Sequence, residues 1–385
     1  LVKWAKMKGL ALLGSGDCTH PQWMVELKKF LKPASGRGIY EYDDVKFLLT
    51  GEVSCQYTRA GRTYRIHHIV FVPNFSTADR LNDSLARHGD LETEARPTVS
   101  LTAEDFVKAV LDVSPECLVV PAHPWGLQYS LFSQQTGYEQ LADAYGGQAD
   151  NVRVMETGLS CDPADVRRFA QADGRTLISN SDATHPFHLG REANIFDCPI
   201  DYKDIAAVLL KNDRARFLGT VELFPEADRF YWKGHKACQK RAASRREADE
   251  KCPACGKPFA PAEADRMDDL ADRTREQAAP QAEPFHRVVP LHEIIAEVLG
   301  FQPDAETVQK QYHQITTQMG PELEILLNWP EDRLRKQLPL RVAESVLAVR
   351  RGEVTFEPGY DGVPGKARIK LPEGLTQETG QLKLF

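Results

Sequence analysis

The sequence has no apolar run approaching the roughly 20 residues that a bilayer crossing requires, and no secretory leader opens it. Those two absences make a cytoplasmic chain the expectation, with no membrane partner. No internal repeat is present, which argues against a repeat architecture. An excess of positive charge is also lacking. The net charge of -7 argues against a protein that coats nucleic acid uniformly, although it averages over segments of very different sign. Residue 1 is Leu, not Met, and "LVKWAKMKGLALLG" reads as a helix running into a strand, so a first strand is expected to precede it. At 385 residues the chain suggests two or three domains.

From residue 1 to 220 helix-like and strand-like pieces alternate. Strand candidates are "LALLG", "VKFLLTGEVSCQY", "YRIHHIVFVP", "ECLVVPAHP", "VRVMETG" and "RTLISNSD", with helical stretches at 22–31, 78–87, 102–113 and 163–172. Continuous Val, Ile and Leu runs separated by helices predict an α/β domain with a mainly parallel sheet or barrel. Polar residues recur where these strands end: Asp17 and His20, Glu52, His67 and His68, His123, Glu156, and Asp182 with His185. Each alone is an ordinary turn residue or a hydrogen-bonded core imidazole. Together they form the pattern of a polynuclear metal site at one mouth of a barrel. Imidazoles and carboxylates favour zinc, manganese or iron, and a bridging carboxylate such as Glu52 suits hydrolysis of a phosphate ester. Strand alternation sends His67 and His68 to opposite faces, so only one of them is expected as a ligand.

A second unit spans 221–275. Five of the eight cysteines, Cys18, Cys55, Cys117, Cys161 and Cys198, stand singly and read as buried thiols. The other three join a histidine in the spacing H-x2-C-x13-C-x2-C: His235, Cys238, Cys252 and Cys255. Two ligand pairs on tight knuckles, about a dozen residues apart, are what a tetrahedral structural zinc requires. The alternative is unconnected reduced thiols. Between Arg229 and Arg246 lie seven Lys or Arg and no Asp or Glu. Lys233, Lys236, Lys240, Arg241 and Arg245 are therefore expected either to contact DNA phosphates or to form a solvated face. The stretch "REQAAPQAEP", 275–284, reads as a linker. A third unit, 285–355, carries amphipathic helical pieces, and 356–385 reads as a tail.

The segments "GSGDCTHPQW", "GEVSCQYTRAGRTYRIHHIVFVP", "PAHPW", "METGLSCDP", "LISNSDATHPFHLGREANIFD", "CPACGKPF", "MDDLADR", "PLHEIIAEVLG" and "PGYDGVPGK", in this order, resemble the endonuclease Q family of DNA repair nucleases. The resemblance implies a polymerase-and-histidinol-phosphatase (PHP) domain, a distorted TIM-like (β/α)7 barrel, followed by a small zinc-binding module and a helical C-terminal domain. It implies cleavage of the phosphodiester 5′ of a deaminated or abasic nucleoside (deoxyuridine, deoxyinosine or an abasic site), with catalytic zinc, manganese or magnesium, by a monomer associated with the nucleoid. Asp17, Glu52, His67, His123 and Asp182 fall on metal-site positions, with Asp17, Glu52 and Asp182 expected as catalytic and His20 as a weaker match. A helicase is a further implied partner.

Two departures accompany the resemblance. Family members carry a His-x-His pair on a strand shortly before the segment that opens this chain; an active nuclease is implied if that pair precedes Leu1, and a metal short of two ligands if the gene lacks it. The family also reads Ser-Asp-Ala-His where this chain has "SDATH", putting Thr184 at the position of the His and His185 one residue later. Two other functions remain open. One is a catalytically impaired accessory protein that binds lesions; the other is a small-molecule PHP phosphoesterase, which would need neither the basic loop nor the helical domain. The last five residues, "QLKLF", resemble the peptide by which bacterial repair proteins dock on the sliding clamp, so Gln381, Leu382, Leu384 and Phe385 are expected either to bind that ring or to fold back onto the helical domain.

Overall fold

Six strands, Leu12–Gly14, Val45–Arg59, Arg62–Val72, Leu118–Pro121, Val154–Glu156 and Thr176–Ile178, stand where the sequence carries its Val, Ile and Leu runs. The structure is a computed structural model and describes residues 1–93, 96–244, 251–371 and 375. The helices Pro21–Phe30, Phe75–Leu85 and Ala103–Val113 separate these strands. Each starts where a side chain accepts an otherwise orphaned amide: His20 from Trp23, Asn74 from Thr77 and Thr102 from Asp105. The helix expected over 163–172 is broken. Pro163–Val166 is helical, but Phe169 is extended, its ring packed against Trp125 and Phe132, and only a short 3-10 turn, Ala170–Ala172, follows.

The sheet is not mainly parallel. Val45–Arg59 pairs antiparallel with Arg62–Val72, which pairs antiparallel with Leu118–Pro121. In that sheet Leu12–Gly14 and Thr98–Val99 run parallel to Val45–Arg59. The reason is local. Ala60 and Gly61 both have positive φ, 52° and 75°, and make a two-residue hairpin turn where a parallel pairing would need a crossover helix. Among the described residues the strands fall into five sheets, the largest of seven strands, and none closes into a barrel. Val154–Glu156 and Thr176–Ile178 form a separate parallel pair.

Leu291–Leu299, Glu306–Gln318, Glu331–Gln337 and Leu340–Arg350 form the helical part, with a core of their own that also takes Met7 and Phe224. Pro339 separates the last two, since proline cannot continue a helix. A buried ion pair, Lys8 Nζ to Glu322 at 2.6 Å, joins the opening helix to this part, and the Tyr312 hydroxyl donates to the same carboxylate.

Two connecting segments are more ordered than their composition suggests. The stretch 275–284, expected as a linker, contains a capped helix, Arg275–Ala278, and the fully buried Glu283, paired with the equally buried Arg167. A charge in that position must be matched, and the match docks the segment on the first domain. The stretch from 356, expected as a tail, begins inside a hairpin of Val354–Glu357 with Lys366–Ile369, and Ala367 is buried in the helical core. Residues 381–385 lie outside the described residues. No helix among the described residues is long and apolar enough to cross a membrane.

Candidate functional site

Glu52 sits in Val45–Arg59, His67 in the partner strand, and His123 two residues beyond Leu118–Pro121. The antiparallel pairing places Ser54 opposite His67, so Glu52 and His67 occupy the same face. His123 enters from the third strand with φ at 31°. One oxygen, one imidazole nitrogen and another imidazole nitrogen lie within 4.8 Å of each other. Glu52 Oε1 is 3.2 Å from His67 Nδ1 and 3.4 Å from His123 Nε2, and the two imidazoles share a hydrogen bond of 3.1 Å. His68 points the other way, fully buried, with Nε2 2.9 Å from the Tyr145 hydroxyl.

The cluster is electrostatically prepared. Burial would raise the Glu52 carboxyl, but the bonds to His123 and His67 and the charges of His123 and Arg96 outweigh it and hold it well below the carboxylate range. Burial works against a charged His123; Glu52, with help from Glu156 and Asp182, overrides it and pushes the imidazole up to about 9. Burial lowers His67. Glu156, 4 % exposed, is pushed up to about 7 by burial, and it accepts from the backbone N–H of His123 at 2.5 Å and from Asn180 at 2.8 Å.

A metal ion fits this donor set. His67 Nε2 is buried without a hydrogen-bond partner, and a carboxylate with two imidazoles is a set that zinc, manganese or iron accepts. Arg96 stands beside it. Its Nε lies 2.7 Å from Glu52 Oε1 and its Nη2 2.7 Å from Asp182 Oδ1, so one guanidinium bridges the two carboxylates.

The remaining expected residues separate into neighbours and outsiders. Asp182 meets the cluster through Arg96. Asp17 is close enough for the Glu52 charge to raise its carboxyl, after burial, which raises it more. Asp17 and Asp182, like His123, have left-handed φ, 44° and 39°, a conformation that costs about 1 to 3 kcal/mol for a non-glycine residue. His20 and His185 are outside the cluster. His20 caps Pro21–Phe30 through Nδ1, and its Nε2 lies 3.2 Å from the Glu92 carbonyl. His185 caps the short turn Pro186–His188, accepting from Phe187 at 3.1 Å, while Thr184 faces His188. Arg96 and Asn180 are not expected from the sequence; a lone Arg in "TEARPTV" carries no signal for this role.

His235, Cys238, Cys252 and Cys255 also present ligand atoms within 4.8 Å of each other, and this Cys3His group could bind a metal. Gly234–His235 pairs with Lys240–Arg241, and the turn after Cys252 places Gly256 at φ 71°. Burial would raise the Cys252 thiol, but bonds from His235 and from the amides of Ala254 and Cys255 lower it to about 6, which favours the thiolate a metal needs. Lys233, expected on DNA phosphates or a solvated face, is paired with Asp265 at 3.0 Å and is 18 % exposed. Lys240 is exposed. Lys236 donates its backbone N–H to Asp361, and Arg241 donates to the Pro358 carbonyl at 3.3 Å. Arg245 lies outside the described residues.

A family model described as the MJ0043 C-terminal domain matches residues 290–353. The chain is 26% identical over 375 residues to the uncharacterized protein YqxK of Bacillus subtilis, covering 96% of this chain and 91% of that protein. It is 27% identical over 259 residues to the uncharacterized protein MJ0043 of Methanocaldococcus jannaschii, covering 64% of this chain and 31% of that protein. Two solved structures superpose on nearly all of it. The lesion-specific endonuclease PfuEndoQ from Pyrococcus furiosus does so with a TM-score of 0.84 and 28% identity, over 98% of this chain and 91% of that one. Endonuclease Q in complex with a 27-mer duplex bearing an abasic lesion at the active site follows with a TM-score of 0.82 and 28% identity, over 98% of this chain and 92% of that one. The likeness to endonuclease Q that the sequence segments carry is thus a likeness of the whole fold.

Proposed function

We propose that this chain is a metal-dependent DNA repair endonuclease that hydrolyses the phosphodiester 5′ of a deaminated or abasic nucleoside, with deoxyuridine, deoxyinosine and the abasic site as its substrates. The observation that carries the reading is the convergence of Glu52, His67 and His123, 71 positions apart at their extremes, on one point of a fold like that of endonuclease Q. In this reading the first domain, 1–220, is a PHP-type barrel left open among the described strands. The module of 221–275 holds a structural zinc on His235, Cys238, Cys252 and Cys255, and 285–355 is the helical domain.

Glu52, His67 and His123 would hold a divalent ion, with Asp17 and Asp182 nearby. Such an ion supplies Lewis acidity toward water and toward the phosphoryl oxygens. The chain's own groups supply position. Glu156 and Ser130 fix both the backbone and the ring of His123, the latter by a bond of 3.0 Å to Nδ1. Arg96 offers a guanidinium between two carboxylates, where a phosphodiester oxygen can be met. Lys240 and Arg241 on the basic loop would meet backbone phosphates. Docking of 381–385 on a sliding clamp rests on the peptide sequence alone, and a helicase partner on the family resemblance alone.

The test is incubation of the full-length protein with manganese or magnesium and an end-labelled duplex bearing one deoxyuridine. Cleavage on the 5′ side of the lesion, absent from the undamaged duplex, is expected. Lesion-selective binding without cleavage under any of these ions would favour the accessory-protein reading instead.

A further inference from the structure

The hairpin that delivers His67 continues well beyond the sheet, and its two faces differ. On the face of Glu52 and His67, the pairs Ser54–His67, Gln56–Arg65 and Thr58–Thr63 succeed one another toward the tip. Gln56, Thr58 and Thr63 are exposed. This is a polar strip leading away from the metal-ligand cluster, and one aromatic ring lies on it.

That ring belongs to Tyr129. It stacks on the His67 imidazole, with centroids 5.7 Å apart and an interplanar angle of 19°, and the Arg65 guanidinium lies 4.4 Å from its centroid. Tyr129 is 37 % exposed and has φ of 59°, a conformation that bulky residues avoid. The loop pins it there. The Tyr129 carbonyl accepts from the His67 N–H at 3.2 Å, Ser130 bonds to His123, and the Leu127 N–H donates to Glu263 at 3.2 Å. A strained, exposed aromatic side chain fills no core. Packing would be served better by burying it, and solubility by a polar residue in its place.

We infer that Tyr129 is a stacking platform for the nucleic-acid base adjoining the damaged nucleotide. The inference rests on the nuclease reading and adds to it a residue that binds the strand beside the cleaved bond. A flat, partly exposed ring, a cation against it and a proposed phosphodiester site next to it are the components by which single-stranded segments are held without reading their sequence. Because the loop is already bonded in place, the ring needs no rearrangement to receive a base.

The experiment uses duplexes with one abasic site and 2-aminopurine on its 5′ or its 3′ neighbour, titrated with the full chain in calcium or manganese. Stacking on Tyr129 quenches the probe on one side of the lesion. Tyr129→Ala and Tyr129→Leu lose the quench and weaken binding about tenfold, the size expected for one stacked base, and Tyr129→Phe restores both. Where the duplex is cleaved, the loss falls mainly on KM. Wild-type quench that survives in Tyr129→Ala and Tyr129→Leu overturns the inference, as does the absence of any quench in wild type when binding is saturated. Quench without cleavage in manganese would leave the platform standing and sink the nuclease reading.

Discussion

Glu283→Ala is expected to destabilise the protein by about 3 kcal/mol, although it lies in a segment whose composition reads as a linker. Glu283 and Arg167 are both buried, at 0% and 1% side-chain exposure, and the carboxylate takes two bonds from one guanidinium edge, Nε and Nη2. Removing one partner of such a pair costs roughly 3 to 5 kcal/mol, because a desolvated charge is left behind. The lower end applies here, since Arg167 keeps the carbonyls of Ala172 and Arg175 as acceptors. Arg214, 3.6 Å from the same carboxylate, is partly exposed and keeps the Gln281 carbonyl, so it adds little to the cost. Arg167→Met combined with Glu283→Leu should return most of the loss, since an apolar pair of similar volume is often neutral in place of a buried ion pair. Urea unfolding followed by tryptophan fluorescence reads the effect as a shift in midpoint at unchanged slope. A Glu283→Ala stability within about 0.5 kcal/mol of wild type would refute the burial of this pair, and with it the docking of 275–284 on the first domain.

Cys252→Ser should release one zinc per chain, counted by native mass spectrometry, and lower the salt dependence of DNA binding by about 0.9 log units for each phosphate that the loosened loop no longer neutralises; an unchanged zinc count would contradict the Cys3His site. The raised pKa of His123, about 9 against roughly 6.5 unfolded, means that its bond to Glu52 contributes stability in full below pH 6.5 and loses it as pH rises through 9. The metal-free protein should therefore melt lower at pH 9.5 than at pH 6.5, and ion binding at pH 7 should release a proton. Calorimetry in buffers of different ionisation heat checks the second point, and zero proton release would refute it.

Periodicity locates the six strands and most helices because each carries its own apolar signature. Direction is not legible in the same way. The turn at Ala60–Gly61 lacks the Asn-Gly or Asp-Gly signal, so from sequence the antiparallel hairpin reads as part of a parallel sheet. His67 and His68 show what alternation can do: one faces Glu52 and the other Tyr145. His20 and His185 show its limit, since an imidazole at a strand exit serves equally as a helix cap. Arg96 and Tyr129 acquire their positions only through partners more than 40 residues away, so nothing local marks them. The pairing of Lys233 with Asp265, 32 residues distant, is likewise not marked locally.

Everything proposed about catalysis depends on Glu52, His67 and His123 forming the hydrolytic centre. The decisive comparison sets wild type against Glu52→Ala, both full-length and both shown to fold, for cleavage of the deoxyuridine duplex in manganese. Wild type should cleave on the 5′ side, and Glu52→Ala should lose at least about a hundredfold in rate, the scale of removing a metal-centre ligand or its support. Cleavage by a folded Glu52→Ala at the wild-type rate would contradict that assignment.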